Sequence, residues 1–410
     1  MSAPHAAARQ AAWPAPGQVA RIVSDAHALE VAASLAEAFA PGASERDRLR
    51  RLPWDELARW SASGLGGMTV PREYGGAQVT SLTVAEVFCR LSEADPSLGQ
   101  IPQNHFGFLW RIREIGTPAQ QRGVFQEALD GRRFGNAGPE RKTRNMLHIS
   151  TRLRREEGGL RLHGHRYYST GALFAHWIPT RATDDEGALV HVWVRRDAPG
   201  LTVIDDWDAF GQRTTASGSV VFDGTPVEPG HVIAALGGAG RPSLLGPYAQ
   251  LMQAAIDQGI AQAALADAKA FVRERARPWM DAGVANAADD PYVIQEVGRL
   301  QIDVQAAGEV LREAAQTLDE LASREPTAAS SSQASVAVAA AKVLTTEAAL
   351  QASEKLFELS GASSTRASHN LDRHWRNART HTLHDPVRWK LHLLGNDLLN
   401  GALAPQHPWN

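Results

Sequence analysis

Apolar residues recur three and four apart through ALEVAASLAEAF, LPWDELARWSASGL, SLTVAEVFCRL and HFGFLWRIREI. That spacing places one apolar stripe on each of several helices. PREYGGAQ and ADPSLG interrupt the period with turn-forming residues. Near Phe134 the texture changes. GLRLHGHRYYST, ALVHVWVRR, GLTVID and GSVVFDGTPV are short alternating or β-branched runs bounded by Gly, Asp and Pro, and they predict a β region of roughly 100 residues. After Gly246 the helical spacing returns in long alanine-rich segments, among them YAQLMQAAIDQGIAQAALADAKAFVRERA and SVAVAAAKVLTTEAALQASEKLFELSG. Their length and small side chains suit close-packed antiparallel helices. REPTAASSSQ (324–333) reads as a connection that ends in a serine N-cap. The chain is therefore expected to be mainly α with a β insert, divided into a flexible N-terminus (1–24), an N-terminal helical domain (25–132), a middle β domain (133–241) and a C-terminal four-helix bundle (242–410). The cleft between a β domain and a bundle is a natural ligand site.

Composition narrows the partners. With 43 % hydrophobic and 21 % charged residues the 410-residue chain is an ordinary globular one. A formal net charge of -3 and the lack of any long basic run argue against nucleic acid and anionic membranes. No stretch approaches the roughly 20 apolar residues of a membrane span, and MSAPHAAARQAAWPAPG has no continuous apolar signal core. Cys89 is the only cysteine and lies on an apolar helical stripe, as a small buried hydrophobe would. A cytoplasmic protein acting on a small molecule is expected.

Several stretches in order, ADPSLGQIPQNHFGF, RFGNAG, YYSTGALFAHWIP, DAFGQRTTASGSVVFDGTPV, RERARPW and RNARTHTLHDPVRWK, resemble the acyl-CoA dehydrogenase superfamily over nearly the whole chain. Within it they resemble the flavin-dependent monooxygenase branch that includes dibenzothiophene monooxygenase and sulfur-acquisition oxidoreductases of the dimethyl sulfone type. The resemblance implies a helical domain, a β domain and a helical bundle, flavin bound where the last two meet, and a homotetramer. It also implies a two-component enzyme. A separate NAD(P)H-dependent flavin reductase supplies FMNH2, O2 adds to give a C4a-hydroperoxyflavin, and one oxygen atom goes into an organosulfur compound such as a sulfone or thioether. No GxGxxG follows a strand and no phosphate-binding Walker loop is present, which agrees with electrons arriving as reduced flavin.

The same resemblance nominates residues. Where the dehydrogenases carry the glutamate of Tyr-Glu-Gly-Thr, a gapless match places Asp385, followed by Pro386, which changes reach as well as chemistry. His384 and His381 stand where an imidazole would protonate and shield the oxygen adduct, since imidazole titrates in the useful range. A pair decorating one helical face is the competing reading, and a zinc site the third. His105 resembles a cavity-facing histidine of the branch, with a satisfied core histidine as the alternative. Tyr168, Ser169 and Thr170 match the dehydrogenase Trp-Ile-Thr strand, whose hydroxyl and backbone groups bond the flavin ring. Trp177 resembles the aromatic after that strand, Asn136 opens the flavin-contacting loop, and Arg275 and Arg379 complete the cofactor-binding set, Arg275 as a phosphate ligand. The family's adenine-holding Gln-Phe-Gly and Gly-Gly-x-Gly-Tyr runs are replaced by ARPW and ELSGASST, so FMN is expected over FAD. The alternative function is an FAD-dependent oxidase or dehydrogenase with Asp385 as base. A scaffold that binds no flavin is a further one.

Overall fold

The computed structural model describes residues 10–15, 17–141, 148–234, 241–407 and 409–410. Six helices come first: α1 (Asp25–Leu49), α2 (Trp54–Ala62), α3 (Ser81–Ala94), α4 (Pro96–Gln100), α5 (Gln103–Ile115) and α6 (Pro118–Leu129). Their starts are written locally. The Ser24 and Thr80 side chains accept backbone N–H groups one turn on, and Thr117 with Gln120 forms a reciprocal capping box. ADPSLG, expected as a turn, begins α4 instead: Asp95 accepts from the Ser97 and Leu98 N–H groups and Pro96 takes the first helical position, where a missing N–H costs nothing.

Seven strands follow: β1 (Arg152–Glu156), β2 (Gly159–Arg166), β3 (Trp177–Thr183), β4 (Leu189–Arg195), β5 (Leu201–Ile204), β6 (Ser219–Val227) and β7 (Val232–Ala234). They form one sheet in the order β5-β6-β2-β1-β3-β4-β7, antiparallel at every pairing except β1 with β3. RLRRE, WIPTRAT and VIA give no strong alternating signal, yet their neighbours in the sheet make them strands. Tertiary pairing overrides weak local preference.

The C-terminal part has three long helices, α7 (Leu245–Glu274), α8 (Pro291–Leu321) and α9 (Ala328–Ser360), then two short ones, α10 (Asp372–His381) and α11 (Arg388–Asn400). The fourth helix of the expected bundle is thus broken at THTLHDP, and both pieces lie against α9. The cap of α9 is Thr327 with Ser330 returning the bond, earlier than the expected serine. α7 is buried on almost every face, as a central helix must be. A Cβ on its Gly259 would stand 2.4 Å from the Cys89 carbonyl, so the bare backbone lets α3 and α7 touch. Residues 1–9 and 16 of the segment expected to be flexible lie outside the described residues. Part of what is described of it packs against the sheet: the Trp13 ring meets those of His176 and Trp177, and the His176 Nε2 bonds the Ala12 carbonyl. Among the described residues no helix is long and apolar enough to cross a membrane.

Candidate active site

THTLHDP sits at the break. α10 ends at His381, the Thr382 N–H bonds back to Ala378, and the chain turns before Pro386 and α11. His381 and His384 therefore do not share a helical face. Both the backbone N–H and the ring Nδ1 of His384 point at the His381 carbonyl, at 3.1 and 2.9 Å. A carbonyl only accepts, so Nδ1 carries the proton and Nε2 is the acceptor in the neutral ring. That Nε2 lies 2.9 Å from the Gln100 amide nitrogen, at the end of α4. His384 keeps an exposed edge, and its pKa is held below the ordinary imidazole value, by desolvation first and then by His381, whose ring centroid is 5.0 Å away.

His381 is wholly buried. Its Nδ1 is 2.5 Å from Asp257 Oδ1, and the other carboxylate oxygen takes the Lys342 ammonium at 2.6 Å and the Thr346 hydroxyl at 3.3 Å. Burial would push the Asp257 pKa up, but Lys342 and His381 outweigh it and bring it to about 2. The Nε2 of His381 is buried with no hydrogen-bond partner among the described residues. Among the described residues no three metal-ligating side chains converge.

Asp385 does not join this pair as a free base. Its carboxylate is buried, accepts from the Gln250 amide at 3.4 Å and faces the Lys390 ammonium at 3.7 Å. It ties the turn to α7 and α11.

The sheet approaches α10 through the loop 206–218. Gly211 is pressed so close that a Cβ there would be 1.9 Å from the Arg376 carbonyl. The Gln212 N–H donates to the Asn377 amide oxygen at 2.7 Å, and Arg376 reaches the Phe210 carbonyl and, across the molecule, Asp47 of α1. From that contact a buried hydroxyl chain runs back to the sheet. Thr215 Oγ1 donates to the Gln212 carbonyl at 3.0 Å, Ser217 lies 2.8 Å from Thr215, and Thr170 lies 2.7 Å from Ser217. Tyr168, Gln212 and Ala216 all have positive φ, at 59°, 49° and 47°. Non-glycine residues seldom occupy that region, and the strain marks a loop shaped for a purpose. The Asn136 amide donates to the Tyr168 carbonyl at 3.3 Å, and the exposed Tyr168 ring meets Tyr167 and Trp207 edge-on. The hydroxyls of Ser169 and Thr380 and both ends of the Gln212 amide are buried without hydrogen-bond partners among the described residues. A planar ring carrying alternating carbonyl and N–H groups is the kind of guest that would use them, so the donor set fits a flavin.

The remaining nominees lie elsewhere. The His105 Nε2 bonds the Gly66 carbonyl at 2.8 Å and its Nδ1 accepts the Phe134 N–H at 3.2 Å, while Trp60, Phe106 and Phe134 enclose the ring. It is a satisfied core histidine with no nitrogen left for substrate. Trp177 donates to Glu127 at 2.6 Å inside a cluster of Trp13, Phe134 and His231, which makes it a clamp between sheet and α6. Arg275 ends α7 about 27 Å along that helix from Asp257 at 1.5 Å per residue, exposed and 3.2 Å from His369. Within one chain it cannot reach the site. Arg379 is half-buried on α10 and makes no ion pair among the described residues. Sequence reasoning missed Gln100, Asp257 and Lys342. The one signal available was a lone charge in each of two otherwise apolar helical stripes, LMQAAIDQGIAQ and SVAVAAAKVL.

Residues 25–132 match the model of the acyl-CoA dehydrogenase N-terminal domain, and residues 251–389 that of the acyl-CoA dehydrogenase C-terminal domain. A dibenzothiophene monooxygenase of Rhodococcus qingshengii is 35 % identical over 396 residues, 93 % of this chain and 95 % of that protein. A Pseudomonas putida protein named "Probable FMNH2-dependent monooxygenase SfnC" is 31 % identical, covering 91 % of this chain and 95 % of its own. The FMN-bound structure of TdsC from Paenibacillus sp. A11-2 superposes with a TM-score of 0.88 at 31 % identity, over 93 % of this chain and all of that one. With the broken fourth helix, the sheet wedged against it and these matches along nearly its full length, the chain belongs to the acyl-CoA dehydrogenase family, alongside its dibenzothiophene monooxygenase relatives.

Proposed function

We propose that this protein is a two-component, FMNH2-dependent monooxygenase that places one oxygen atom of O2 into an organosulfur compound, a sulfone or a thioether. One observation carries the choice over a dehydrogenase. The carboxylate at the dehydrogenase base position, Asp385, is buried, takes the Gln250 amide at Oδ1 and faces the Lys390 ammonium, whereas His384 next to it presents an acceptor nitrogen beside Gln100. A carbon-acid base must reach substrate.

Tyr168, Ser169, Thr170 and Asn136 would hold the ring, and Arg379, on the same helix as His381, would complete the cofactor-binding set. Reduced FMN, when bound, supplies the electrons that activate O2. The protein's part is to exclude water and to move a proton. His384, oriented by the His381 carbonyl, accepts or gives a proton at Nε2, and its neutral form is favoured at rest. Gln100 holds that nitrogen until substrate or oxygen displaces the amide. Arg275, too distant to serve its own chain, would reach a phosphate held by another copy in a homotetramer. The sulfur compound would be a nutrient source, and the reductase an NAD(P)H-dependent partner in the same cytoplasm.

The test pairs the protein with a flavin reductase, NADH, FMN and 18O2, using dibenzothiophene and dimethyl sulfone as probes. A product heavier by one 18O atom, formed only when the reductase is present, is expected. Tight FAD that an acyl-CoA bleaches without reductase would instead establish the dehydrogenase.

A further inference from the structure

Lys342 and Asp257 stand out because neither is needed to hold the helices together. α7 and α9 already meet along rows of alanine, and an apolar pair of the same size would pack there without the cost of burying two charges. The pair has a specific third member. Asp257 Oδ1 faces the Nδ1 of His381 at 2.5 Å, so the proton of the neutral imidazole is kept on Nδ1 and the buried, partnerless Nε2 is left as an acceptor. The Lys342 ammonium at 2.6 Å keeps the carboxylate ionised, and Thr346 adds a donor at 3.3 Å. The ring of His381 in turn fixes its own backbone at the last residue of α10, and that carbonyl sets the tautomer of His384. A line of defined proton positions thus runs from Lys342 through Asp257 and His381 to His384 and Gln100.

We infer that Asp257, neutralised by Lys342, is a positioning residue for the oxygenation: it holds His381 as the Nδ1–H tautomer and, through the His381 carbonyl, presents His384 Nε2 to the reacting atoms. This rests on the monooxygenase reading of the site. Removing the anchor lets the His381 ring turn or change tautomer, and the carbonyl that orients His384 moves with it. Binding of the flavin ring to the sheet is untouched, so the loss should fall on turnover and not on affinity.

The double variant Asp257→Asn/Lys342→Met removes both charges together and leaves no buried unpaired ion, so it is expected to fold with a melting temperature near that of the parent. The expected result is an FMN Kd within about twofold of the parent, substrate KM little changed, and kcat at least about tenfold lower, the scale of a lost proton-handling geometry. More of the reduced flavin should be consumed without product. Spectra of the [15N]histidine-labelled protein should show His381 protonated at Nδ1 in the parent and a mixture of tautomers in the variant. Asp257→Glu, which restores a carboxylate, should recover part of kcat. Parent-like kcat and product yield in a folded double variant would make the pair a structural ion pair and overturn the inference, as would an unchanged His381 tautomer. If the parent oxygenates neither dibenzothiophene nor dimethyl sulfone, the monooxygenase reading loses its support, and the tautomer spectra still decide whether Asp257 governs His381.

Discussion

His105 and His381 are both fully buried imidazoles, and they differ in one atom. His105 spends Nε2 on the Gly66 carbonyl and Nδ1 on the Phe134 N–H, so the ring is a strut between α5, the turn at Gly66 and the entry to the sheet. His381 spends only Nδ1, on Asp257, and its Nε2 is left over. A buried polar atom without a partner costs on the order of 1–3 kcal/mol. Folding tolerates that at His381 and avoids it at His105. Burial alone does not tell a ring spent as a strut from one with a nitrogen to spare, whereas the tally of satisfied nitrogens does.

The comparison breaks most readily at His384, the group that His381 orients. His384→Ala should lower oxygenated product per unit time by about 10²–10⁴-fold, measured with saturating FMNH2, while FMN affinity stays near the parent value. An unchanged rate would remove the working half of the contrast. His105→Ala is expected to do the reverse. It leaves a carbonyl and an N–H unsatisfied in the core and should cost roughly 3 kcal/mol in urea unfolding, with activity per folded molecule retained.

Acid sharpens the same difference. Desolvation holds the His105 pKa down to about 4, against 6.5 when unfolded. A neutral buried histidine contributes its stability in full above about pH 6.5, and that contribution drains away as pH falls towards 4. At 1.36 kcal/mol per unit this is roughly 3 kcal/mol from His105. Denaturant titrations at pH 7, 5.5 and 4.5 should show the decline, and a His105→Gln variant should lose less over the same range. A smaller effect is expected at Thr170→Val, which cuts the hydroxyl chain to Ser217 and should weaken FMN binding by about tenfold, as for one lost hydrogen bond. Smallest is Trp177→Phe. It forfeits the bond to Glu127, about 1 kcal/mol of stability, and should leave FMN affinity alone. A large change in affinity would return Trp177 to the flavin site.

The order of helices, sheet and helices was legible in the sequence because apolar spacing is a local property, whereas the break at THTLHDP was not expected, although Pro386 after a polar cluster is its local cause. His381 and His384 were nominated by the resemblance of that one stretch, which is likewise a local signal. The partners that give them distinct roles were not. Gln100 lies 284 residues from His384, and Lys342 lies 85 from Asp257, so no local window contains either pair. His105 and Trp177 failed in the opposite direction. Their residue types and neighbours in sequence resemble a cavity wall, but Gly66 and Glu127, which hold them, approach only through the tertiary fold.

The tether between Arg376 and Asp47, 329 residues apart, has a consequence for how the molecule comes into being. α10 is braced by α1, by the loop at Gly211 and by α7 and α9, so the beginning, middle and end of the chain must all be present before the imidazoles are in place. During synthesis the N-terminal helices and the sheet leave the ribosome first, and no complete site exists until α10 and the turn after it have followed. A chain cut short before α10 would lack both imidazoles and everything that they orient.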